Sequence, residues 1–240
     1  MTLEGRVALV TGGSRGIGRA AALVLAEAGA DVAITYRERA DAAEEVVAAL
    51  GGRARALRAD LAAPGAAARL IAEVGTVDVL VNNAGVLEQK PFAEITEADL
   101  DRALAVNLKA VFLLSQAVMG PMRERGWGRI VNVASSGGQL GGPLAVHYSA
   151  SKAGVIGLTR SLARVGAPHV AVNCVSPGLI ETEMTEPEIA SPAGQDKLRQ
   201  IPLERAGQPD EVAAAIGYLA TAAPYVTGQT LNVNGGLYLG

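Results

Sequence analysis

Residues 7–20 read VALVTGGSRGIGRA, a four-residue apolar run followed by a glycine-rich turn and the beginning of a helical pattern. A continuous apolar run predicts a strand that is buried on both faces, as in a parallel sheet. Gly12, Gly16 and Gly18 have the spacing G-x-x-x-G-x-G. Missing side chains let the backbone approach a pyrophosphate, which the free amides of a helix N-terminus attract. The stretch therefore predicts a dinucleotide-binding strand, turn and helix, and the lack of Gly-Lys-Ser or Gly-Lys-Thr disfavours a P-loop.

The same strand and helix unit repeats along the chain. Further apolar strand patterns lie at 31–36, 53–59, 77–81, 129–134, 170–175 and 230–233, separated by helical patterns such as 41–50, 63–73 and 209–220. This alternation predicts an α/β fold, a Rossmann-like doubly wound parallel sheet of about seven strands with helices on both faces. At 240 residues we expect one domain spanning 1–240.

Residues 183–205 interrupt the pattern. Three prolines and Gly194 make this segment too broken for one long helix. A connection of this length is often functional, so we interpret it as a substrate lid; the alternative is a plain connecting excursion.

Composition and charge exclude several classes of partner. The net charge is −3 and no run of Lys or Arg occurs, which argues against nucleic acid and anionic membranes. The single Cys174 lies in an apolar strand pattern, so no intrachain disulfide and no zinc spacing is possible, and we expect no metal. No leader pattern is present and no apolar run approaches the ~18 residues of a membrane span, so we expect a soluble cytoplasmic protein.

The end of the second strand predicts the cofactor. A dinucleotide's adenosine ribose rests there, and Arg37 suits a 2′-phosphate through charge-assisted hydrogen bonds. Arg15 in the glycine turn is a second candidate cation, although both arginines are also consistent with a solvated surface. Glu38 would repel the phosphate. We predict NADPH in preference to NADH.

Three polar positions are further candidates for the site, and two of them, Asp60 and Asn107, keep two interpretations each. Asp60 after the third strand either accepts from the adenine amino group or caps the helix 63–73. Thr96 and Asp99 have the spacing of a capping box and begin a helical pattern that includes Asn107. Asn107 is either a helix-bending residue or part of a buried polar network. Asn83, in the run Asn-Asn-Ala-Gly after the fourth strand, is expected to tie neighbouring strand ends together and leave room for a ligand.

Tyr148 and Lys152 are four residues apart, so a helix places them on one face. An ammonium beside a phenol favours the phenolate and lowers the pKa from about 10, which lets a tyrosine act as acid or base near neutral pH. An ordinary amphipathic helix that happens to carry both residues is the alternative.

Taken together, these motifs resemble the short-chain dehydrogenase/reductase family. The resemblance rests on T-G-x-x-x-G-x-G at 11–18, N-N-A-G at 82–85, Asn107, a serine after the fifth strand and Y-x-x-x-K at 148–152, and it covers essentially the whole chain. The motifs at 227–229 and 233–236 are most similar to those of the 3-oxoacyl-(acyl-carrier-protein) reductases.

The resemblance implies a role for each catalytic candidate. Tyr148 would protonate the carbonyl oxygen, Ser135 would polarise it, and Lys152 would bind the nicotinamide ribose and depress the pKa of Tyr148. Asn107 would hold a water that relays protons to Lys152. Ser136 is a rival for the serine role, but the spacing to the tyrosine favours Ser135; His147 is expected to form a pocket wall.

It also implies that the turn after the sixth strand flanks the nicotinamide. The implied NADP(H) contacts are Gly12, Ser14, Arg15, Gly16, Ile17, Gly18, Arg37, Asp60, Leu61, Asn83, Ala84, Gly85, Tyr148, Lys152, Pro177, Gly178, Ile180 and Thr182.

The implied reaction is reduction of a carbonyl to a secondary alcohol, in particular the 3-keto group of a 3-oxoacyl thioester. An alcohol or sugar dehydrogenase, a broad carbonyl reductase and a non-catalytic nucleotide sensor are the alternatives.

The family resemblance further implies a homotetramer and an acidic carrier protein as a partner. The helices around 103–122 and 151–165 would pair between subunits. Docking of an acyl carrier protein is only half supported, because residues 165–169 are about one residue shorter than expected and contain no Lys or Arg, where the family's carrier-protein reductases present a basic residue. Arg123, Arg125 and Arg129 remain near the other expected basic edge.

Overall fold

The computed structural model describes residues 2–240 and contains one seven-stranded sheet, all of whose strands are parallel. The strands are β1 (Val7–Val10), β2 (Asp31–Tyr36), β3 (Ala54–Arg58), β4 (Val79–Asn82), β5 (Gly128–Val133), β6 (Val170–Pro177) and β7 (Thr230–Val233). The helices are α1 (Gly16–Glu27), α2 (Ala40–Ala49), α3 (Ala66–Val74), α4 (Glu97–Leu104), α5 (Ala110–Glu124), α6 (Gly137–Leu140), α7 (Val146–Gly166), α8 (Glu186–Ala190), α9 (Pro192–Gln200) and α10 (Pro209–Thr221). The predicted doubly wound sheet is confirmed.

The strand order β3-β2-β1-β4-β5-β6-β7 explains where a ligand binds. The chain moves outward from β1 to β3, then returns and continues on the other side of β1 from β4. A crevice forms at this switch point, beyond the carboxyl ends of β1 and β4.

Both faces of the sheet are covered, as continuous apolar strands require. Because successive side chains of a strand point to opposite faces, Val10 packs in a core with α1 and α10 while Leu9 packs in a second core with α3 and α5. A smaller cluster joins α7 to β6 around Val155 and Cys174.

The helical pattern after Thr96 differs from the prediction in its middle. Thr96 and Asp99 form the predicted capping box, with the Asp99 amide donating to Thr96 Oγ1 and the Thr96 amide donating to Asp99. The helix does not continue uniformly, however, because a π-helical turn over Ala105–Lys109 separates α4 from α5. Such turns occur frequently at functional sites.

By length and composition alone, the helical run Glu97–Glu124 is sufficient to cross a membrane, which the apolar runs of the sequence did not indicate. Half of its most apolar window is buried inside the protein. Leu114 and Val118 pack into the second core and Val111 into the smaller cluster beside α7, as in the core helix of a globular protein.

Two connections differ in local structure from one uniform helical pattern. Residues 183–205 contain the two short helices α8 and α9 in place of one long helix, as the prolines predicted. Asp60 does not cap α3, because that helix begins at Ala66 with Gly65 at its N-cap position. Instead Asp60 Oδ1 accepts from the Ala62 amide at 3.0 Å within the preceding turn.

Candidate active site

A cleft with a volume of about 390 Å³ lies at the carboxyl ends of the strands, within the range of small-ligand sites. Of the residues predicted to contact the cofactor or the reacting carbonyl, most line it. They are Gly12, Ser14, Arg15, Gly16, Ile17, Arg37, Asp60, Leu61, Asn83, Ala84, Gly85, Ser135, Tyr148, Lys152, Pro177, Gly178, Ile180 and Thr182. The fold therefore brings together residues from seven separate segments of the chain.

Gly18 and Asn107 do not line the cleft. A Cβ atom on Gly18 would lie 2.1 Å from the Gly12 carbonyl oxygen, so this glycine allows α1 to pack against the turn. Gly12 itself has φ +64, a left-handed conformation that suits glycine, and its amide donates to Thr35 Oγ1 at 3.0 Å.

Asn83 holds the glycine turn against the end of β4. Its side-chain nitrogen donates to the carbonyl oxygens of Thr11 at 2.9 Å and Gly12 at 3.1 Å. In return, Thr11 Oγ1 accepts from the amides of Asn83 and Ala84, both at 3.0 Å. The predicted tie between neighbouring strand ends is present, and it fixes the floor of the cleft.

Three arginines surround the adenosine end of the cleft. Arg39 lines the cleft together with the predicted Arg15 and Arg37. Arg37 is paired with Glu38, while Glu183 pairs with Arg15 and lies 3.8 Å from Arg39. Guanidinium groups in this number suit the two negative charges of a 2′-phosphate.

The catalytic candidates meet at the opposite end of the cleft. Ser135 follows β5, and its hydroxyl and the Tyr148 ring both lie next to Gly137 at this end of the cleft. The Ser135 oxygen also accepts from the Gly137 amide at 3.0 Å, which holds the side chain in place. Lys152 is one turn further along α7, and its Nζ lies 5.8 Å from the centre of the Tyr148 ring.

Ser136 and His147 do not line the cleft. Ser136 is buried, and its amide donates to the Pro177 carbonyl at 2.8 Å, so it ties β5 to β6. His147 is also buried, on a different side of α7 from Tyr148, and the expectation of a pocket wall is not met in the cleft. The geometry thus favours Ser135 over its neighbour.

Asn107 belongs to a buried network behind the cleft, and it lies in the π-helical turn. Its Oδ1 accepts from the Val86 amide at 2.8 Å, and its Nδ2 donates to the Val86 carbonyl and to Ser151 Oγ, both at 3.0 Å. Ser151 Oγ then donates to the Tyr148 carbonyl at 2.7 Å. The interpretation of Asn107 as part of a buried polar network is confirmed, and the network connects the π-helical turn to α7.

Burial controls the proton affinities of the catalytic pair. It raises the pKa of Tyr148 above its usual 10; the hydrogen bond with Ser135 opposes this shift and the charge of Glu188 adds to it. Burial also lowers the pKa of Lys152 to about 8, against a smaller opposing effect of Cys174. The predicted lowering of the Tyr148 pKa is therefore reversed in direction, because desolvation of the phenol dominates.

Lys152 is held away from the phenol. Its Nζ donates to the Val133 carbonyl at 2.8 Å, at the end of β5, and only 4% of the residue is exposed. The ammonium is thus positioned by the sheet, and it faces Gly85 and Asn107 across the cleft floor.

Arg39 and Glu183 line the adenosine end of the cleft and were not found from the sequence. Gln89 and Glu188, which do not line the cleft, join two distant segments through a 3.1 Å hydrogen bond. Only Arg39 had a sequence signal, its position two residues after Arg37. The others depend on contacts between distant segments.

The basic residues considered for carrier-protein docking are dispersed. Arg129 is buried and stacks on Trp127, with its guanidinium carbon 4.6 Å from a ring centre. Arg125 lies 3.4 Å from Asp78, at the amino end of the sheet. Of these three arginines, only Arg123 is both exposed and without an ion pair among the described residues, so the predicted basic edge does not form as a patch.

The donor set of the cleft fits an NADP-type cofactor. The N-terminus of the twelve-residue helix α1 points into the cleft and suits a pyrophosphate, and the arginines suit a 2′-phosphate. Within residues 2–240, no group of three or more His, Cys, Asp or Glu side chains is arranged to hold a metal ion.

Comparison with known proteins gives similarities over nearly the whole chain. Residues 6–192 match the family model described as short chain dehydrogenase. A 3-oxoacyl-[acyl-carrier-protein] reductase of Synechocystis sp. is 44% identical over 99% of this chain and 98% of its own. A blue fluorescent protein from a metagenomic library, solved with NADPH, is 39% identical with a TM-score of 0.92, covering 100% of both chains. A gluconate 5-dehydrogenase from Burkholderia cenocepacia, solved with NADP and tartrate, is 37% identical with a TM-score of 0.90, covering 98% of this chain and 96% of that one.

Proposed function

This chain belongs to the short chain dehydrogenase family and is an NADP-dependent oxidoreductase, and we propose that it reduces the 3-keto group of a 3-oxoacyl thioester. The observation that carries the reaction type is the meeting of Ser135 and Tyr148 at one end of the cleft, beside the buried Lys152. The acyl substrate is supported by the curated relative, which is named for that activity.

The chain's own residues supply the acid chemistry. Tyr148 remains protonated at neutral pH because burial raises its pKa, so its hydroxyl is the proton donor to the carbonyl oxygen. Ser135 donates a second hydrogen bond to that oxygen and stabilises its developing negative charge. NADPH supplies the hydride when it is bound.

Lys152 and Asn107 prepare the site. With a pKa of about 8, Lys152 is mostly charged at pH 7. In this role its ammonium binds the nicotinamide ribose and takes part in the proton relay that reprotonates Tyr148. Asn107 positions the α7 segment through Ser151 and, in the proposed role, lies on a water path to Lys152.

A sugar or alcohol dehydrogenase is the second candidate. It is favoured by the similarity to the gluconate 5-dehydrogenase, which has nearly the same fold and was solved with NADP. A non-catalytic nucleotide sensor is disfavoured, since the serine, tyrosine and lysine are all in place.

We further infer a cytoplasmic homotetramer. Phe112 of α5 and Val165 of α7 are about half exposed, which leaves apolar side chains on both helices for pairing between subunits. An acyl carrier protein remains a proposed partner, although Arg123 is the one predicted basic residue free to meet its acidic surface.

The test is a comparison of substrates in an NADPH-consumption assay. Acetoacetyl-CoA and an acyl-carrier-protein thioester should be reduced with much higher kcat/KM than simple ketones or 5-ketogluconate. If 5-ketogluconate is preferred, the sugar dehydrogenase alternative replaces the proposal.

Tyr148→Phe tests the proton donor. Turnover should fall at least about a thousandfold while NADPH binding changes little, because the ring still packs and only the acid is lost. A near wild-type rate would refute the role of Tyr148, and loss of turnover together with NADPH binding would point to a structural role.

A further inference from the structure

The adenosine end of the cleft holds as many carboxylates as guanidinium groups. The pairs are Arg15 with Glu183, Arg37 with Glu38, and Arg39 with Asp41. Each of the three arginines therefore already has an anionic partner within the chain. A 2′-phosphate, which has a charge of about −1.5 to −2, must compete with at least one of these carboxylates.

Glu183 differs from the other two carboxylates in where it comes from. Glu38 and Asp41 lie next to their own arginines, in the β2–α2 connection and the first turn of α2. Glu183 instead follows β6, 168 residues from Arg15, and begins the segment 183–205 that the sequence predicts to be a lid. Its ion pair therefore joins the two sides of the cleft, and a movement of this segment separates it.

A compact turn places Glu183 beside the glycine turn. Thr185 Oγ1 lies 3.0 Å from Thr182 Oγ1 and accepts from the Thr182 amide at 3.2 Å, while the Thr185 amide donates to the Thr182 carbonyl at 3.0 Å. Thr182 also contacts the glycine turn, since a Cβ atom on Gly16 would lie 3.2 Å from Thr182 Cγ2. The position of the Glu183 carboxylate is thus determined by the fold of its own turn.

The Glu183 carboxylate faces two guanidinium groups. The oxygen that pairs with Arg15 Nη1 is also 3.8 Å from Arg39 Nη1, and all three residues line the cleft. Guanidinium groups bind carboxylate and phosphate oxygens through the same charge-assisted contacts. Glu183 therefore makes the contacts that one oxygen of a 2′-phosphate would make.

These ion pairs can be exchanged for stronger ones. The side chains of Arg15 and Glu183 are each 53% exposed and that of Arg39 is 50% exposed. Solvent screens exposed pairs of single charges, so they contribute little to stability. A phosphate has a larger charge and more acceptor oxygens than a carboxylate, and it is the stronger ligand for the same arginines.

We propose that Glu183 is a specificity-determining residue for the cofactor, which competes with the 2′-phosphate for Arg15 and Arg39. When the phosphate displaces the carboxylate, the start of the segment 183–205 is released from the glycine turn. The affinity for NADP(H) is consequently lower than the arginines alone would give, whereas a nucleotide without a 2′-phosphate meets no such competition. The inference concerns the cofactor site and is independent of which carbonyl compound is reduced.

The nucleotides 2′,5′-ADP and 5′-AMP are matched probes, because both fill the adenosine end and only the former has a 2′-phosphate. In calorimetric titrations, Glu183→Gln should bind 2′,5′-ADP about fivefold more tightly than the wild type and change the affinity for 5′-AMP by less than about twofold. Glu186→Gln is the control, since it removes an exposed carboxylate three residues further along the chain. It should leave both affinities unchanged.

Hydrogen exchange measures the release of the segment. Saturating 2′,5′-ADP should increase amide exchange within residues 183–200 of the wild type at least about threefold, and 5′-AMP should not. In Glu183→Gln, exchange in these residues should already be raised without nucleotide, so that 2′,5′-ADP adds little.

Three results would overturn the proposal. Weaker binding of 2′,5′-ADP by Glu183→Gln would show that Glu183 holds the nucleotide in place, and equal binding would show that it does not compete. A gain of the same size in an Arg15→Met background would mean that the carboxylate only repels the phosphate. None of these results depends on turnover, so the proposed reductase function stands or fails separately in its own substrate assay.

Discussion

Replacing Gly18 by alanine tests whether the glycine turn depends on close packing of α1. The added Cβ would lie 2.1 Å from the Gly12 carbonyl oxygen, 2.5 Å from the Asn83 side-chain nitrogen and 2.9 Å from the Gly12 carbonyl carbon. Two of these atoms belong to the backbone, and the Asn83 side-chain nitrogen is held by its hydrogen bonds to the Thr11 and Gly12 carbonyl oxygens. The strain cannot be relieved by one flexible side chain, so the turn must move by roughly 1 Å.

The expected cost follows from overpacking of a close-packed region. Such insertions destabilise by about 1–3 kcal/mol. For a chain of this size, 1 kcal/mol lowers Tm by about 2–4 °C, so Gly18→Ala should lower Tm by roughly 2–12 °C. The turn also carries the amides that face a pyrophosphate, and their displacement should weaken NADPH binding at least about tenfold, which equals about 1.4 kcal/mol.

The assay combines thermal unfolding with an NADPH fluorescence titration. Gly157→Ala is the matched control, because Gly157 is an exposed helical glycine with no atom within 4 Å of the new Cβ. It should stabilise by up to about 1 kcal/mol through helix propensity and leave NADPH affinity unchanged. If Gly18→Ala has the Tm and NADPH affinity of the wild type, the packing argument fails.

Three other outcomes can be measured directly. With NADPH saturating, kcat/KM for reduction should fall as pH rises through about 8. The reason is that Lys152 loses its charge there, while Tyr148, whose pKa is raised, stays protonated. A flat profile between pH 7 and 10 would contradict the role given to Lys152. Arg39→Ala should raise KM for NADPH about tenfold and leave KM for NADH unchanged, since only the former has a 2′-phosphate; equal effects on both would show a general role in the cleft. Asn107→Ala should lower the free energy of unfolding by about 2–4 kcal/mol in urea titrations, because the Val86 amide and carbonyl lose buried partners. A loss below about 0.5 kcal/mol would mean that water replaces the side chain as their hydrogen-bond partner.

Much of the fold and part of the site follow from local sequence. The apolar runs predicted all seven strands to within a few residues, and Thr230–Val233 is placed as predicted, because a strand buried on both faces needs a continuous apolar segment. The glycine turn and the Tyr148–Lys152 pair were also predictable, since a turn conformation and a helical spacing are properties of neighbouring residues.

Other features required the folded chain. The π-helical turn over Ala105–Lys109 lies inside a sequence with an uninterrupted helical pattern, and it accompanies contacts of Asn107 with Val86 and Ser151. The direction of the Tyr148 pKa shift was predicted from one neighbour, whereas burial by the whole site determines it. Local spacing contains no information about desolvation.

The sequence by itself determined the order of strands and helices, the pyrophosphate turn and the chemical groups available for proton transfer, because each depends on residues close together in the chain. Only the tertiary structure decided which distant side chains pair. Glu183 is 168 residues from Arg15 and Glu188 is 99 residues from Gln89, so their pairing depends on how residues 183–205 fold back against the rest of the chain. Electrostatic interactions depend on distance in space, which a linear pattern does not specify.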